Sequence, residues 1–354
     1  MLSKDQNQDV GENATAIQAG NDANVKVIHN YGVSYSEVRQ IALDIYKANF
    51  YELAGAAKET ARARAEEITE EFLKKLQEEN PEGFLKAEEP DFQHGLLTIQ
   101  KEYARTGDKE LGDLLVDLLV DRSKQVKRNI LQIVLNESLS IAPKLTDEQF
   151  SALSIIFLFK YTRDNRIGNH KDLGEYFDKY IFPFVGSLVT NSSCYQHLEF
   201  TGCGSIQMGE ISLVEQLSYV YQGQFMKGFD ASEIEAREIT IGLDKRFFIY
   251  CLNDSSKIQV NANSIEILEN KLDIAQVIPE DRVKILELFN IGKMSNDEIR
   301  QLCINLRPYM QNVFDVWSDS SMKSFTLTSV GIAIAHANIK RLIGNFADLS
   351  IWIN

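Results

Sequence analysis

Three residues in the second half of the chain have side chains that could bind a metal ion. They are Cys194, His197 and Cys203, separated by two and five residues. A structural zinc site needs four such ligands in a closed pattern, and no fourth ligand stands nearby in the sequence. We therefore expect ordinary thiols here, and the sequence predicts neither a metal site nor a bound cofactor.

A polar loop, residues 162–169, is the best candidate for a small binding or catalytic site. It reads TRDNRIGN, contains Arg163, Asp164 and Arg166, and is followed directly by His170. It is the most charged loop beside an aromatic-rich stretch, but a solvated turn is the plainer interpretation. None of the five histidines stands beside a recognised nucleophile motif. The sequence therefore assigns no catalytic residue and predicts that the chain is not an enzyme.

Carboxylates recur at helical spacing in two places, and they predict an acidic helix surface. Glu66-Glu67 and Glu70-Glu71 form one group, and Asp113, Asp117 and Asp121 form the other. Such a face could attract a cation or a basic partner. The ordinary interpretation is a solvated surface, because amphipathic helices usually carry one.

Composition and charge restrict the class of protein. The 354 residues have a net charge of -14, and 44% of them are hydrophobic. This acidic balance makes nucleic acid an unexpected partner, because a phosphate-binding surface needs clustered basic residues. No run of about 18 apolar residues predicts a membrane span, and no apolar signal region opens the chain. Four cysteines without a disulfide pattern fit a cytoplasmic protein with reduced thiols.

The elements that must position any site are mainly helices. Residues 91–161 hold apolar residues at helical spacing, including Leu114, Leu115 and Leu118. Gly107-Asp108 and Ala142-Pro143 are helix stop signals, and Thr146 with Gln149 has capping-box spacing. The sequence therefore predicts a multi-helix core domain over residues 91–235.

The amino-terminal region divides at Ser34, where a capping box begins a helical pattern. Residues 1–33 alternate short apolar runs with Gly and Asn turns, which predicts a short β-element that self-associates; a tail is the alternative. The region 34–85 is predicted to hold one long helix, which would be roughly 65–70 Å in length up to Glu79 at 1.5 Å per residue. We expect this helix to project or to pair through its alanine row, with Gly55 as a place where it could bend.

The carboxyl-terminal region, residues 236–354, mixes strand and helix patterns. Residues 246–252 and 257–261 look like strands joined by a turn. A strand at 324–328, a helix from Ser329 to Leu342 and a final strand at 349–353 are compatible with a winged-helix-like unit. The predicted fold class is therefore mainly α, with a small α+β carboxyl-terminal region and a short amino-terminal β-element.

Several stretches resemble a known group of bacterial proteins. The opening VGENATAIQAGNDANV is similar to an amino-terminal tag of proteins from phage-defence neighbourhoods. The stretches YSEVRQIALDIYKANFYEL, YARTGDKELGDLLVDLLVDR and PKLTDEQF resemble an uncharacterised bacterial family that carries this IQAGND-type tag. Pro143–Thr146 and Leu327–Gly331 are similar to parts of abortive-infection helical proteins. The resemblance implies a role in antiviral defence and supplies no catalytic residues.

Together these observations predict a cytoplasmic, self-associating interaction protein that acts as a sensor or effector in phage defence. We expect a homo-oligomer formed through residues 10–33 and the long helix, with a protein partner, no nucleic acid and no membrane contact. Two alternatives stay open. The first is an enzyme that uses the polar loop near His170, and the second is a regulator that uses the winged-helix-like unit.

Overall fold

A computed structural model describes residues 34–49, 55–125 and 127–354 of the chain. These residues are mainly α-helical with a small β component, as the apolar spacing predicts. The amino-terminal β-element and the contacts proposed for residues 10–33 lie outside the described residues. No helix in the described ranges is long and apolar enough to cross a membrane.

The helices follow one another closely along the chain. The first nine are α1 (Tyr35–Asn49), α2 (Gly55–Glu79), α3 (Pro90–Thr106), α4 (Lys109–Ser123), α5 (Ile130–Ile141), α6 (Asp147–Tyr161), α7 (His170–Tyr176), α8 (Phe182–Val185) and α9 (Ser192–Phe200). The others are α10 (Leu213–Val220), α11 (Ser232–Ala236), α12 (Ile265–Ile274), α13 (Pro279–Asn290), α14 (Asn296–Leu306), α15 (Met310–Asp319) and α16 (Ser329–Ile343). A π-helical segment, Phe177–Ile181, joins α7 to α8.

In the described part of the chain, two short antiparallel sheets accompany the helices. Strand β1 (Gly204–Ile206) pairs with β4 (Phe325–Leu327), and β2 (Phe248–Tyr250) pairs with β3 (Ile258–Val260). The β2–β3 hairpin lies within the two stretches that the sequence predicts as strands.

Local capping signals end and begin helices where the sequence places them. Gly107 ends α3 in the left-handed conformation (φ 65°), and the Asp108 carboxylate accepts a hydrogen bond from Leu111 N at the start of α4. Thr146 and Gln149 form the capping box of α6. Each device satisfies backbone groups that a helix end leaves unpaired, so the residues within one turn determine these boundaries.

The single long helix predicted over residues 34–85 is wrong. Two hydrogen bonds show that helices α1 and α2 run antiparallel. Tyr35, at the start of α1, donates its hydroxyl to Glu70 in the second half of α2 (2.7 Å), and Tyr46, near the end of α1, donates its hydroxyl to the carbonyl of Ala61 in the first half of α2 (3.2 Å). Helix α2 starts at Gly55, whose φ of 58° interrupts a continuous right-handed helix. A straight rod would leave the apolar side of α1 in water, and folding back buries it.

The main core is built around α4, α6 and α16. Leu114, Leu115 and Leu118 of α4 are almost completely buried, and so is most of α6. Helix α16 packs against α4, α5 and α6. Its alanines bring the backbones close, and Asn338 donates a buried hydrogen bond to Ser154 of α6 (3.0 Å).

The winged-helix-like unit predicted for the carboxyl-terminal region does not form. Strand β4 pairs with β1, over 100 residues earlier in the chain, and residues 349–351 form a 3₁₀ turn instead of a strand. Helix α16 is enclosed by the main core and exposes no recognition face. Residues 229–289 form a small second core around β2, β3, α12 and α13, whereas α14–α16 belong to the first core. Residues 236–354 therefore do not pack as one domain.

Candidate functional site

A cleft of about 630 Å³ opens where three segments meet. They are the loop after α6, the helical run from α7 to α8, and the carboxyl-terminal segment 345–352. The volume lies within the range of roughly 300–1,000 Å³ that is usual for small-molecule sites. The polar loop chosen from the sequence therefore borders a cleft.

Aromatic side chains from the end of α6, the helical run from α7 to α8 and the carboxyl-terminal segment form the inner wall of the cleft. Trp352 and Phe346 stack with their planes 10° apart, and Tyr180 meets Phe346 edge-on. Tyr161 and Tyr176 complete the wall. Behind them, Phe157 of α6 contacts Phe346, Trp352 and Tyr161. A planar ligand would meet several ring faces here.

Cationic side chains surround the mouth of the cleft. Arg166 makes a two-pronged ion pair with Asp164, with Nε–Oδ1 at 2.9 Å and Nη2–Oδ2 at 2.7 Å. These bonds hold the pKa of Asp164 below its ordinary value, so the carboxylate stays ionised. Arg163 and Lys179 also line the cleft, and neither has a carboxylate within ion-pair distance in the described part of the chain. The mouth therefore carries excess positive charge in a strongly acidic protein.

Hydrogen bonds from neighbouring elements hold the polar loop in place. Tyr221 Oη accepts a bond from Asp164 N (3.0 Å), and the Asn263 amide donates to the carbonyl of Ile167. His170 Nε2 lies 2.9 Å from the carbonyl oxygen of Gln224 and donates to it. His170 is thus a structural anchor at the start of α7 and does not line the cleft, so the alternative site near His170 reduces to its neighbours Arg163, Asp164 and Arg166.

The carboxyl-terminal segment reaches the cleft through a turn at Gly344. This residue has φ 85° and ψ -121°, a conformation that side chains disfavour. Trp352 Nε1 donates to the carbonyl of Tyr161 (2.8 Å), and His336 Nε2 donates to the carbonyl of Ala347 (2.6 Å). His336 is buried, and burial lowers its pKa. These two bonds hold Phe346 and Trp352 at the cleft.

The acidic row of α4 is not the solvated surface that the sequence predicts. The Asp117 side chain is fully buried and pairs with Lys75 of α2 (2.6 Å). Lys340 of α16 lies 2.7 Å from Glu79, 3.3 Å from Asp121 and 3.5 Å from Asp117. Burial by itself would lower the pKa of Lys340, but the surrounding carboxylates raise it. These charges join α2, α4 and α16 inside the molecule.

The cysteine and histidine residues considered for metal binding have structural partners. Burial raises the pKa of the Cys194 and Cys203 thiols to about 11, so neither is a ready nucleophile or ligand. The His197 ring interacts with the Gln149 amide group. Across the described ranges, no group of three or more His, Cys, Asp or Glu side chains is placed to hold a metal ion.

Sequence reasoning found the polar loop but missed the side chains that complete the cleft. Trp352 lies in the stretch 349–353, which the sequence predicts as a final strand, and Phe346 lies just before that stretch, about 180 residues after the loop. The only local signal was the Gly344-Asn345 pair, which is typical of a turn. Nothing in the sequence alone indicated which loop this turn would meet.

The fold and the cleft define a mainly α-helical protein with an aromatic binding cavity and a cationic entrance. The chain belongs to an uncharacterised protein family, whose model matches residues 32–353. The comparison with curated proteins found no match, and the comparison with solved structures found none.

Proposed function

We propose that this protein is a ligand-binding sensor and that the cleft beside residues 162–169 is its ligand site. The observation that carries the proposal is the convergence of three distant segments on one cavity lined by aromatic rings and charged groups. Pockets with this mixture fix a ligand by apolar contact and orient it by a few polar groups. The proposed role is binding, because Asp164, the carboxylate that lines the cleft, is already engaged by Arg166 through two hydrogen bonds.

A cleft-filling substitution tests this assignment. Ala347 lines the cleft and is exposed, so Ala347→Trp places a large ring in the cavity. A ligand that binds only the folded state raises the unfolding midpoint. Thermal unfolding against a panel of neutral, cationic and anionic metabolites should show at least one class that stabilises the wild type and not the variant.

Ala236→Trp is the matched control, because Ala236 is an exposed alanine of α11 outside the cleft. It should respond to the panel as the wild type does. A panel in which no class stabilises the wild type, or in which both tryptophan variants respond equally, would remove the cleft as the ligand site.

The cellular setting that we propose is antiviral defence in the bacterial cytoplasm, with the protein assembled as a homo-oligomer and acting on a protein partner. The support is the resemblance of residues 10–25 and of three helical stretches to proteins of phage-defence neighbourhoods. Plating efficiency of a phage panel on cells that carry the wild-type protein or Ala347→Trp tests the defence role and the need for the cleft in that role. Protection by the wild type that the variant lacks is expected; equal plating with and without the wild-type protein would contradict the defence role.

A further inference from the structure

We infer that the ligand of this cleft is a nucleotide, a phosphorylated compound with a planar ring, bound with the ring against the aromatic wall and the phosphate at the cationic mouth. The inference rests on the proposed function, since it names the ligand class of the same site. Two separate observations support it, one for the charge of the ligand and one for its ring.

The negative charge of the ligand is inferred from the lining cations that have no carboxylate within ion-pair distance among the described residues. Asp164 already balances Arg166 through two hydrogen bonds. The Arg163 guanidinium and the Lys179 ammonium line the same cavity, and among the described residues neither has a carboxylate within ion-pair distance. Lys179 lies 4.9 Å from the Tyr180 ring centroid. Guanidinium and ammonium groups together suit the several oxygens of a phosphate. A cationic ligand would be repelled by the same pair.

The planar ring of the ligand is inferred from the aromatic wall of the cleft, which lies behind these cations. Three of its rings, those of Trp352, Phe346 and Tyr161, are only partly buried, and the ring of the buried Tyr180 also lines the cavity. Aromatic side chains accept nucleobases by stacking, whatever the base, since every base has a π-face. A simple phosphate would leave this wall in contact with water, so the cavity has more apolar surface than an inorganic anion can use.

Asn345 supplies a group that could distinguish one base from another. Its side chain lines the cleft and makes no hydrogen bond within the described part of the chain. An amide carries both donors and an acceptor, which matches the edges of nucleobases. We assign Asn345 as the residue that reads the base, whereas Arg163 and Lys179 hold the phosphate.

The test is a fluorescence titration that follows Trp352. Adenosine monophosphate, diphosphate and triphosphate are compared with adenosine and with inorganic pyrophosphate as probes, together with the guanosine series. Trp352→Phe identifies the part of the signal that arises at the cleft, because the other tryptophan, Trp317, is buried in the core. We expect at least one nucleotide to bind at least tenfold more tightly than adenosine or pyrophosphate.

Variants separate the roles of the residues. Arg163→Ala and Lys179→Ala should each weaken nucleotide binding about tenfold and reduce its dependence on salt. Asn345→Ala should narrow the difference between adenosine and guanosine nucleotides. Arg62→Ala, which removes an exposed arginine of α2, is the matched control and should bind as the wild type does. Circular dichroism of each variant checks that the helices are intact.

Each outcome separates this inference from the proposed function. A neutral or cationic metabolite that binds at the cleft, with no effect of Arg163→Ala, overturns the nucleotide assignment and leaves the sensor role standing. Adenosine that binds as tightly as the adenosine nucleotides would also overturn the nucleotide assignment and leave the sensor role standing. A single-stranded oligonucleotide that binds far more tightly than any mononucleotide would replace the small ligand with a nucleic acid and overturn the inference.

Discussion

At the residue scale, the most consequential side chains are charges that the fold encloses. Asp117 is completely buried, and its neutralisation depends on Lys75 and Lys340 from two other helices. Burial raises the pKa of Asp117, which shows that its charge is costly to enclose. Removing one partner of a buried ion pair lowers the free energy of unfolding by more than the intact pair contributes to it, because the remaining buried charge is left uncompensated.

Lys340→Met should therefore lower the free energy of unfolding by about 3 kcal/mol. Lys124→Met is the matched control: Lys124 contacts two of the same carboxylates, Glu79 and Asp121, but its side chain is 35% exposed. We expect it to cost less than about 1 kcal/mol. Urea unfolding measures both. Equal losses would mean that the charges around Lys340 are as well solvated as those at the surface.

Asp281 predicts a pH dependence of stability in the small second core. Its buried carboxylate accepts hydrogen bonds from Thr240 N, Thr240 Oγ1 and Ile241 N, at 2.7–3.2 Å. Burial by itself would raise the pKa of Asp281, but these bonds hold it below its ordinary value of 3.8. A lowered pKa stabilises the folded state above the unfolded value, and this stabilisation is lost as the pH falls through the folded pKa.

Asp281→Asn should lower the free energy of unfolding by about 2 kcal/mol at pH 7. The difference in free energy of unfolding between the wild type and the variant should stay constant down to about pH 4 and then shrink on further acidification. Unfolding curves collected between pH 7 and pH 2.5 test this. Asp230→Asn is the control, since Asp230 is an exposed residue just before α11 in the same region. A difference between wild type and variant that grows in acid would contradict a lowered pKa for Asp281.

At the element scale, α16 decides how the two halves of the chain come together. Its amino-terminal cap is Thr328, whose hydroxyl accepts a hydrogen bond from Gly331 N (3.2 Å). Gly331 lies against the backbone of Cys203, and a Cβ atom at this position would be 1.9 Å from the Cys203 carbonyl oxygen. The start of α16, the β1–β4 pair and the end of α9 therefore share one tightly packed corner.

Gly331→Ala should destabilise the protein by about 2–3 kcal/mol, because backbone atoms cannot yield as a flexible side chain can. Gly186→Ala is the matched control: it has an ordinary φ of -67° and no atom within 4 Å of the added Cβ. That variant should stay within about 0.5 kcal/mol of the wild type. Thermal unfolding followed by circular dichroism decides, and a wild-type midpoint for Gly331→Ala would contradict the close approach.

At the scale of the whole molecule, the described residues form two large hydrophobic cores and one small cluster, and two backbone segments cross where the large cores meet. Lys227 N donates to the carbonyl of Gly292 (2.6 Å), and Met294 N donates to the carbonyl of Phe225 (3.0 Å). Gly228 and Gly292, both with φ of 71°, let the two backbone segments cross closely. Among the described residues, the main core closes around α1–α10 and α14–α16.

Deletion of residues 1–33 should consequently lower the oligomeric state and leave the helical content of each chain nearly unchanged. Short strands with little apolar surface gain stability by pairing with another copy. Light scattering coupled to size exclusion measures the mass, and circular dichroism on the same samples measures the helices. A truncated protein with the mass of the full-length protein, or a full-length monomer, would contradict self-association through this segment.

The sequence by itself determined the helical class and many helix ends. Gly107, Asp108 and the Thr146 capping box act within one helical turn, so neighbouring residues are enough to predict them. The apolar row through Leu114 and Leu118 also predicted its own burial. The polar loop at 162–169 was recognisable as a candidate site, because its charges stand beside aromatic residues in the chain.

Only the tertiary structure decided what covers each face. Asp117 has the sequence signature of a surface carboxylate, and it is buried because Lys75 and Lys340 arrive from distant helices. Residues 349–353 have the alternation of a strand, yet strand β4 pairs with β1 and the tail packs its tryptophan against α6. The loop becomes one side of a cleft because Phe346 and Trp352 return to it. Pairing and burial depend on long-range packing, and a local pattern carries no information about its distant partner.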